Sequence, residues 1–341
     1  MPKVLLTGGS GFIAAHVLDI LIKKGYEVVT TVRSETKASQ IRAKYPGAKL
    51  SVAIVPDIAA PDAFDSVIAS EPGLDYVQHT ASPFHFKWTD ARTELLDPAI
   101  NGTNSVLQAI KKHAPGVKRV VLTSSFAAII TEAELSNPAK VFSEADWNPS
   151  TYEDGVKGPP PTSYRVSKTY AERTAWDFVK NEKPSFDLAT ICPPMVFGPV
   201  AHHLDSLSGI NTSNSRIAAL IQGEWKNEIP SSGVYLWVDV RDVAYAHVKA
   251  MELPEAGGQR FFTTAGYYDN IKVAQAVKAA YPNLADKLPT DSTPAAKGAA
   301  FPAGGTYKYD NSRATKVLGI DWVPLEKSVA DTVETLLTIP A

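Results

Sequence analysis

Short apolar runs alternate with amphipathic stretches over the first 190 or so residues. The run Lys3-Val4-Leu5-Leu6 leads into Thr7-Gly8-Gly9-Ser10-Gly11, and Val17, Leu18 and Leu21 follow at helical spacing, which reads as strand, turn, helix. Further strands are expected at 27–32, 50–55, near 76–79, at 117–122 and at 186–192. A long helix is expected over 91–113, interrupted at Asn101-Gly102, and another over 164–180, capped by Thr162 or Ser163. The stretch 131–162 reads as irregular, with Gly158-Pro159-Pro160-Pro161 stopping any regular element. Strands alternating with helices in this way imply a doubly wound parallel sheet.

Beyond residue 193 the rhythm loosens. A helix near 215–222, a strand at 234–238, a helix capped by Asp239 and reaching Leu253, a strand at 260–264 and a helix at 272–281 precede a Pro/Gly-rich loop and two short helices. The expected class is α/β: a Rossmann-type doubly wound parallel sheet in residues 1–192 and a smaller α/β C-terminal lobe in 193–341 whose segments cross back to the sheet.

Composition narrows the picture. The chain has 341 residues, 34 Lys+Arg against 36 Asp+Glu and a net charge of −2. No basic excess points to nucleic acid or an anionic membrane surface. One cysteine, Cys192, excludes an intramolecular disulfide framework and suits a reducing compartment. Glycines break the first apolar run, and no run is long enough to cross a bilayer, so a soluble cytoplasmic protein, monomer or homodimer, is the expectation.

The glycine-dense turn fits G-x-G-x-x-A through Gly9, Gly11 and Ala14, and T-G-x-x-G-x-x-A through Thr7, Gly8, Gly11 and Ala14. Glycine permits the tight bend and lets a pyrophosphate approach, and the helix N-terminus presents free N–H groups to it. The second strand ends at Arg33-Ser34 with Lys37 a turn later, where an arginine meets a 2′-phosphate and an acid would accept from ribose hydroxyls; Glu35 is the counter-argument. Asp57, after the third strand, is placed to accept from an adenine amino group or to cap a helix near Pro61. Small residues at Thr80-Ala81-Ser82 suit close passage of a cofactor backbone, and His79 reads as a packed core histidine. His202-His203 has no partner at metal-ligand spacing, so no metal is expected.

Tyr164 and Lys168, four apart on a helix, face one way. A neighbouring cation is expected to lower the phenol pKa from its usual ~10 and make it a usable acid and base. Ser124 and Ser125 end the fifth strand, where a hydroxyl can hold a substrate oxygen.

These stretches together resemble the extended short-chain dehydrogenase/reductase family, in its dihydroflavonol-reductase-like branch, and within it the yeast NADPH-dependent methylglyoxal/aldehyde reductases. The supporting residues run from Thr7-Gly8-Gly9-Ser10-Gly11-Phe12-Ile13-Ala14 through Val120 to Ser125 and Tyr164-Arg165-Val166-Ser167-Lys168 to Val238-Asp239-Val240-Arg241-Asp242. The resemblance implies that Tyr164 protonates a carbonyl oxygen, that Lys168 binds the nicotinamide ribose and that Ser125 orients the substrate. It further implies that Gly8 to Ile13 hold the pyrophosphate, Arg33 and Lys37 the 2′-phosphate, Asp57 and Ile58 the adenine, and Thr80, Ala81, Pro193, Val196 and Ser213 the rest of NADPH. Phe84, Phe126 and Met195 are the expected walls of an apolar pocket for a small carbonyl substrate. A nucleotide-sugar epimerase or dehydratase, or a non-catalytic NADP-sensing protein, are the alternatives; Ser124-Ser125-Phe126 stand where a dehydratase carries acids.

Overall fold

A computed structural model describes residues 1–82 and 88–340. Its strands are β1 (Lys3–Thr7), β2 (Glu27–Val32), β3 (Leu50–Ile54), β4 (Leu74–His79), β5 (Arg119–Thr123), β6 (Val141–Phe142), β7 (Asp187–Ile191), β8 (Met195–Phe197), β9 (Leu236–Asp239), β10 (Gln259–Phe261), β11 (Gly266–Tyr267) and β12 (Lys308–Tyr309). Its helices are α1 (Phe12–Lys23), α2 (Glu35–Lys44), α3 (Asp65–Ala69), α4 (Asp97–His113), α5 (Tyr152–Lys157), α6 (Pro160–Glu182), α7 (Thr212–Gln222), α8 (Val240–Glu252), α9 (Asn270–Ala280), α10 (Ser312–Leu318) and α11 (Leu325–Leu336).

Seven strands form one sheet in the order β10-β7-β5-β4-β1-β2-β3, all neighbours parallel. Val4, Leu5 and Leu6 of β1 are fully buried, because helices cover both faces of a central parallel strand. On one face α1 packs with α8 through Val17, Leu21, Val243 and Met251. On the other, Ile68, Val106, Ile110 and Phe178 bring α3, α4 and α6 together. Chain order reverses between β1 and β4, which opens a crevice beyond their carboxyl ends.

The C-terminal part has its own core, where Phe197, Ile217, Val277 and Val333 join β8, α7, α9 and α11. A three-stranded sheet, β11-β9-β8, floors it. Two segments of this part belong elsewhere: α8 packs in the first core and β10 extends the main sheet beside β7.

Several local expectations are corrected. Gly158 does end α5, but Pro160 and Pro161 start α6, where a missing N–H costs nothing and the fixed φ suits the first turn. Neither Thr162 nor Ser163 caps it; the residue before the helix is Pro159. The region 131–162 holds β6 and α5. Asn101-Gly102 does not interrupt α4, and a Cβ at Gly102 would lie 3.4 Å from Ile58, so the glycine serves close packing within an unbroken helix. A π-helical turn, Arg92–Leu96, leads into α4.

Candidate active site

The turn between β1 and α1 is shaped by contact. Gly8 has φ +74°, and a Cβ at Gly9 would fall 2.1 Å from Thr30 Oγ1. No side chain caps α1, so its first N–H groups face the crevice available to an anion. Thr7 pins the adjacent strand end: its Oγ1 accepts from the N–H groups of Thr80 (3.2 Å) and Ala81 (3.1 Å) and sits 2.9 Å from His79 Nδ1. His79 is buried and its pKa is pushed down to about 3, chiefly by desolvation, so it is a neutral structural histidine.

A groove of about 530 Å³ runs from this turn over the ends of β2, β3 and β4. Gly8, Ser10, Gly11, Arg33, Asp57, Ile58, Thr80, Ala81 and Ser82 line it, all within stretches the sequence pointed to, together with Thr31 and Val55, to which it gave no role. Asp57 does not cap a helix at Pro61; its carboxylate accepts from Ala59 N–H at 2.8 Å and closes a turn at the rim. Phe12 is turned into the core against His16, and Ile13 also packs on that core, so their backbone faces the turn while their side chains support it. Arg33 is exposed at the groove, and Glu35 is turned to Arg42. Lys37 lines a separate cavity that shares Ser10 with the groove.

Further along the sheet edge, α6 carries Tyr164 and Lys168 on one face. The Tyr164 hydroxyl is hydrogen-bonded with the Ser125 side chain. Ser125 also accepts from Ala127 N–H at 3.1 Å and lies 3.4 Å from the Pro193 carbonyl. Lys168 is 8% exposed, and burial pushes its ammonium down to about 8. The phenol is pushed up to about 12: burial is the larger effect and the Ser125 bond only offsets it. The expectation that a neighbouring cation depresses the phenol is therefore corrected. Desolvation dominates, and Tyr164 is a neutral hydroxyl, the form that gives a proton.

Beneath this pair lies a charged network that sequence reasoning missed. Glu172, one turn beyond Lys168, is fully buried. It accepts from Arg260 at 2.7 and 3.1 Å, from Ser124 Oγ at 2.5 Å and from Thr190 Oγ1 at 2.7 Å. The Arg260 guanidinium stacks 3.7 Å from the Trp147 ring centroid. The i, i+4, i+8 spacing of Tyr164, Lys168 and Glu172 was visible, but the partner Arg260 on β10 was not. Lys168, Ser124, Ser82 and Glu172 border one small void.

Ser213 Oγ accepts from Val196 N–H at 3.2 Å, joining α7 to β8 three residues beyond Pro193. Met195 on β8 is half-buried. Phe126 is corrected: it is 3% exposed and stacked on Phe262 within an aromatic cluster with Phe142 and Tyr307, so it is packing rather than open wall. Phe84 lies outside the described residues. Among the described residues no cluster of side chains could hold a metal ion, and no helix is long and apolar enough to cross a membrane.

A parallel doubly wound sheet with a glycine turn at its crevice defines a dinucleotide-binding α/β fold, and α6 sets Tyr164 and Lys168 near Ser125 at the end of β5. The chain belongs to the NAD dependent epimerase/dehydratase family, whose model matches residues 4–263. It is 47% identical to ketoreductase azaE of Aspergillus niger over 339 residues, covering 98% of this chain and 97% of that protein. It is 36% identical to the NADPH-dependent methylglyoxal reductase GRE2 of Saccharomyces cerevisiae, covering 98% of each. The crystal structure of Gre2 from Candida albicans in complex with NADPH superposes with a TM-score of 0.89 at 36% identity, over 99% of each chain.

Proposed function

We propose that the protein is an NADPH-dependent reductase of small aldehydes and ketones. The observation that carries this reading is the neutral Tyr164 hydroxyl bonded to Ser125 and sharing a helix face with Lys168, at the edge of the crevice. The relatives named ketoreductase and NADPH-dependent methylglyoxal reductase, at 47% and 36% identity, support the reaction type and cofactor. The uncapped α1 terminus and the Gly8-Gly9 turn fit a pyrophosphate, and exposed Arg33 fits a 2′-phosphate.

Bound NADPH would supply the hydride for the carbonyl carbon. The protein's part is the proton and the geometry. Ser125 holds the carbonyl oxygen by its hydroxyl while Tyr164 gives that oxygen its proton. Lys168 would hold the nicotinamide ribose, as the family resemblance implies, and its charge would stabilise the phenolate left behind. One hydride and one proton convert the carbonyl to an alcohol, and Tyr164 is reprotonated from solvent. No carboxylate follows Thr123, so the acid a sugar dehydratase needs is absent from that position, and the intact Tyr164–Lys168 pair weighs against a cofactor sensor.

NADPH oxidation across a panel of aliphatic and aromatic aldehydes and ketones, beside UDP- and dTDP-sugars, tests the reading. Saturable turnover of the carbonyls alone is expected. Conversion of a nucleotide sugar with no activity on the panel would replace it, and NADPH binding without any turnover would favour a sensor.

A further inference from the structure

On the far side of Ser10 from the cofactor groove lies a second cavity, of about 490 Å³, between α1, α2 and the loop 201–203. Ser10 borders both spaces, so the two meet at the phosphate turn. The cavity is lined by Lys37, Lys44, His202 and His203, and no carboxylate lines it. Lys44 donates to the Ala201 carbonyl at 2.7 Å, which draws the loop against α2, and pairs with Asp19 at 3.4 Å. Among the described residues no ion pair engages the side chain of Arg33 or Lys37. The nearby acid, Glu35, is committed to Arg42.

His202 is the odd member. Its ring packs edge-on to Phe12 at 6.1 Å, and its Nδ1 is buried without a hydrogen-bond partner. Burial is the larger cause that pushes its pKa down to about 4, and His16, Lys37, Lys44 and His203 add to it by disfavouring a further positive charge. It is a neutral imidazole in a positive cavity, so one ring nitrogen carries a hydrogen and the other a lone pair, and the buried Nδ1 has no partner in the protein for either. Such a setting suits an anion.

We propose that His202 is a specificity residue for the cofactor's 2′-phosphate. The phosphate sits over Ser10, held by Arg33 from the groove side and by Lys37 and His202 from the cavity side. The inference rests on the NADPH reading above and extends it: the phosphate is read by the β2–α2 turn and also by a loop of the C-terminal part. Because that loop follows β8, which carries Met195 and Val196, recognition at the adenosine end is tied to the strand beside the reacting end.

The test is calorimetric binding of 2′,5′-ADP and 5′-AMP, which differ only in the phosphate at issue, to wild type, His202→Phe and His202→Gln. Phenylalanine keeps the ring on Phe12 and removes the donor; glutamine restores one. His202→Phe should weaken 2′,5′-ADP about 5- to 10-fold and leave 5′-AMP within about twofold, the scale of one hydrogen bond to a charged group, and His202→Gln should recover most of it. In the wild type, the His202 imidazole resonances should shift with 2′,5′-ADP and not with 5′-AMP. Equal losses for both nucleotides, or no loss and no resonance shift, would make His202 a packing residue only and overturn the proposal. Wild-type protein binding 2′,5′-ADP no more tightly than 5′-AMP would instead remove the NADPH reading, and this inference with it.

Discussion

The two ends of the cleft carry cations in opposite settings. At the adenosine end Arg33 is exposed on a strand tip, beside backbone N–H groups that a glycine turn presents. At the reacting end Lys168 is buried, next to a buried serine and above a buried ion pair. An exposed cation recognises charge without needing its neighbours, because water serves it when the ligand is absent. A buried one is held in place by everything around it, and its proton affinity becomes a property of the packing. The adenosine end should therefore tolerate substitution with graded loss, and the reacting end should not.

The largest effect should come from the buried ion pair that joins α6 to β10. Glu172→Ala leaves Arg260 buried without its partner, which costs about 3–5 kcal/mol where a buried pair is broken. Urea unfolding of the purified variant measures it; a loss under about 1 kcal/mol would mean that Arg260 finds other partners.

Next comes the proton donor. Tyr164→Phe should lower kcat by ~10²-fold or more while NADPH affinity holds, the scale of a positioned general acid. Turnover within a few-fold of wild type would move the proton donation elsewhere.

Arg33→Ala should be milder. It should erode an NADPH preference over NADH of about 10- to 100-fold by raising KM for NADPH, with kcat nearly unchanged, because the contact is the same in ground and transition states. Equal efficiency with both cofactors in the wild type would reduce Arg33 to a surface charge.

The smallest effect is a pH dependence. Burial lowers the folded pKa of Lys168 to about 8, below its unfolded value. Between pH 8 and about 10.4 the unfolded chain holds a proton there that the folded chain has shed, so this residue's contribution to stability rises with pH across that window. The stability difference between wild type and Lys168→Met should shift in favour of wild type from pH 8 to 10. A difference independent of pH would show that the lysine keeps its proton.

The sheet strands and long helices of residues 1–182 are legible because each is local, whereas β6 and α5, within the stretch read as irregular, are not. The turn at Gly8 to Gly11, the strand tip at Arg33 and the helix bearing Tyr164 and Lys168 each need only neighbours in the chain. Where two local signals competed, sequence reasoning went astray: a proline pair that starts α6 looks like one that ends a helix until the preceding residue's backbone is known. Gly102 looked like a break because its reason for being glycine, Ile58, lies 44 positions back.

What the sequence by itself determined is the succession of strands and helices, the phosphate turn, and the one-faced spacing of Tyr164 with Lys168. These follow from periodicity and backbone geometry, which act over a few residues. Only the tertiary structure decided that Phe126 belongs to an aromatic core, that Glu172 has Arg260 for a partner, that Lys37 faces a different space from Arg33, and that burial raises the Tyr164 pKa. Each of these depends on desolvation or on contacts between residues far apart in the chain, and neither exists until the sheet has brought its distant edges together.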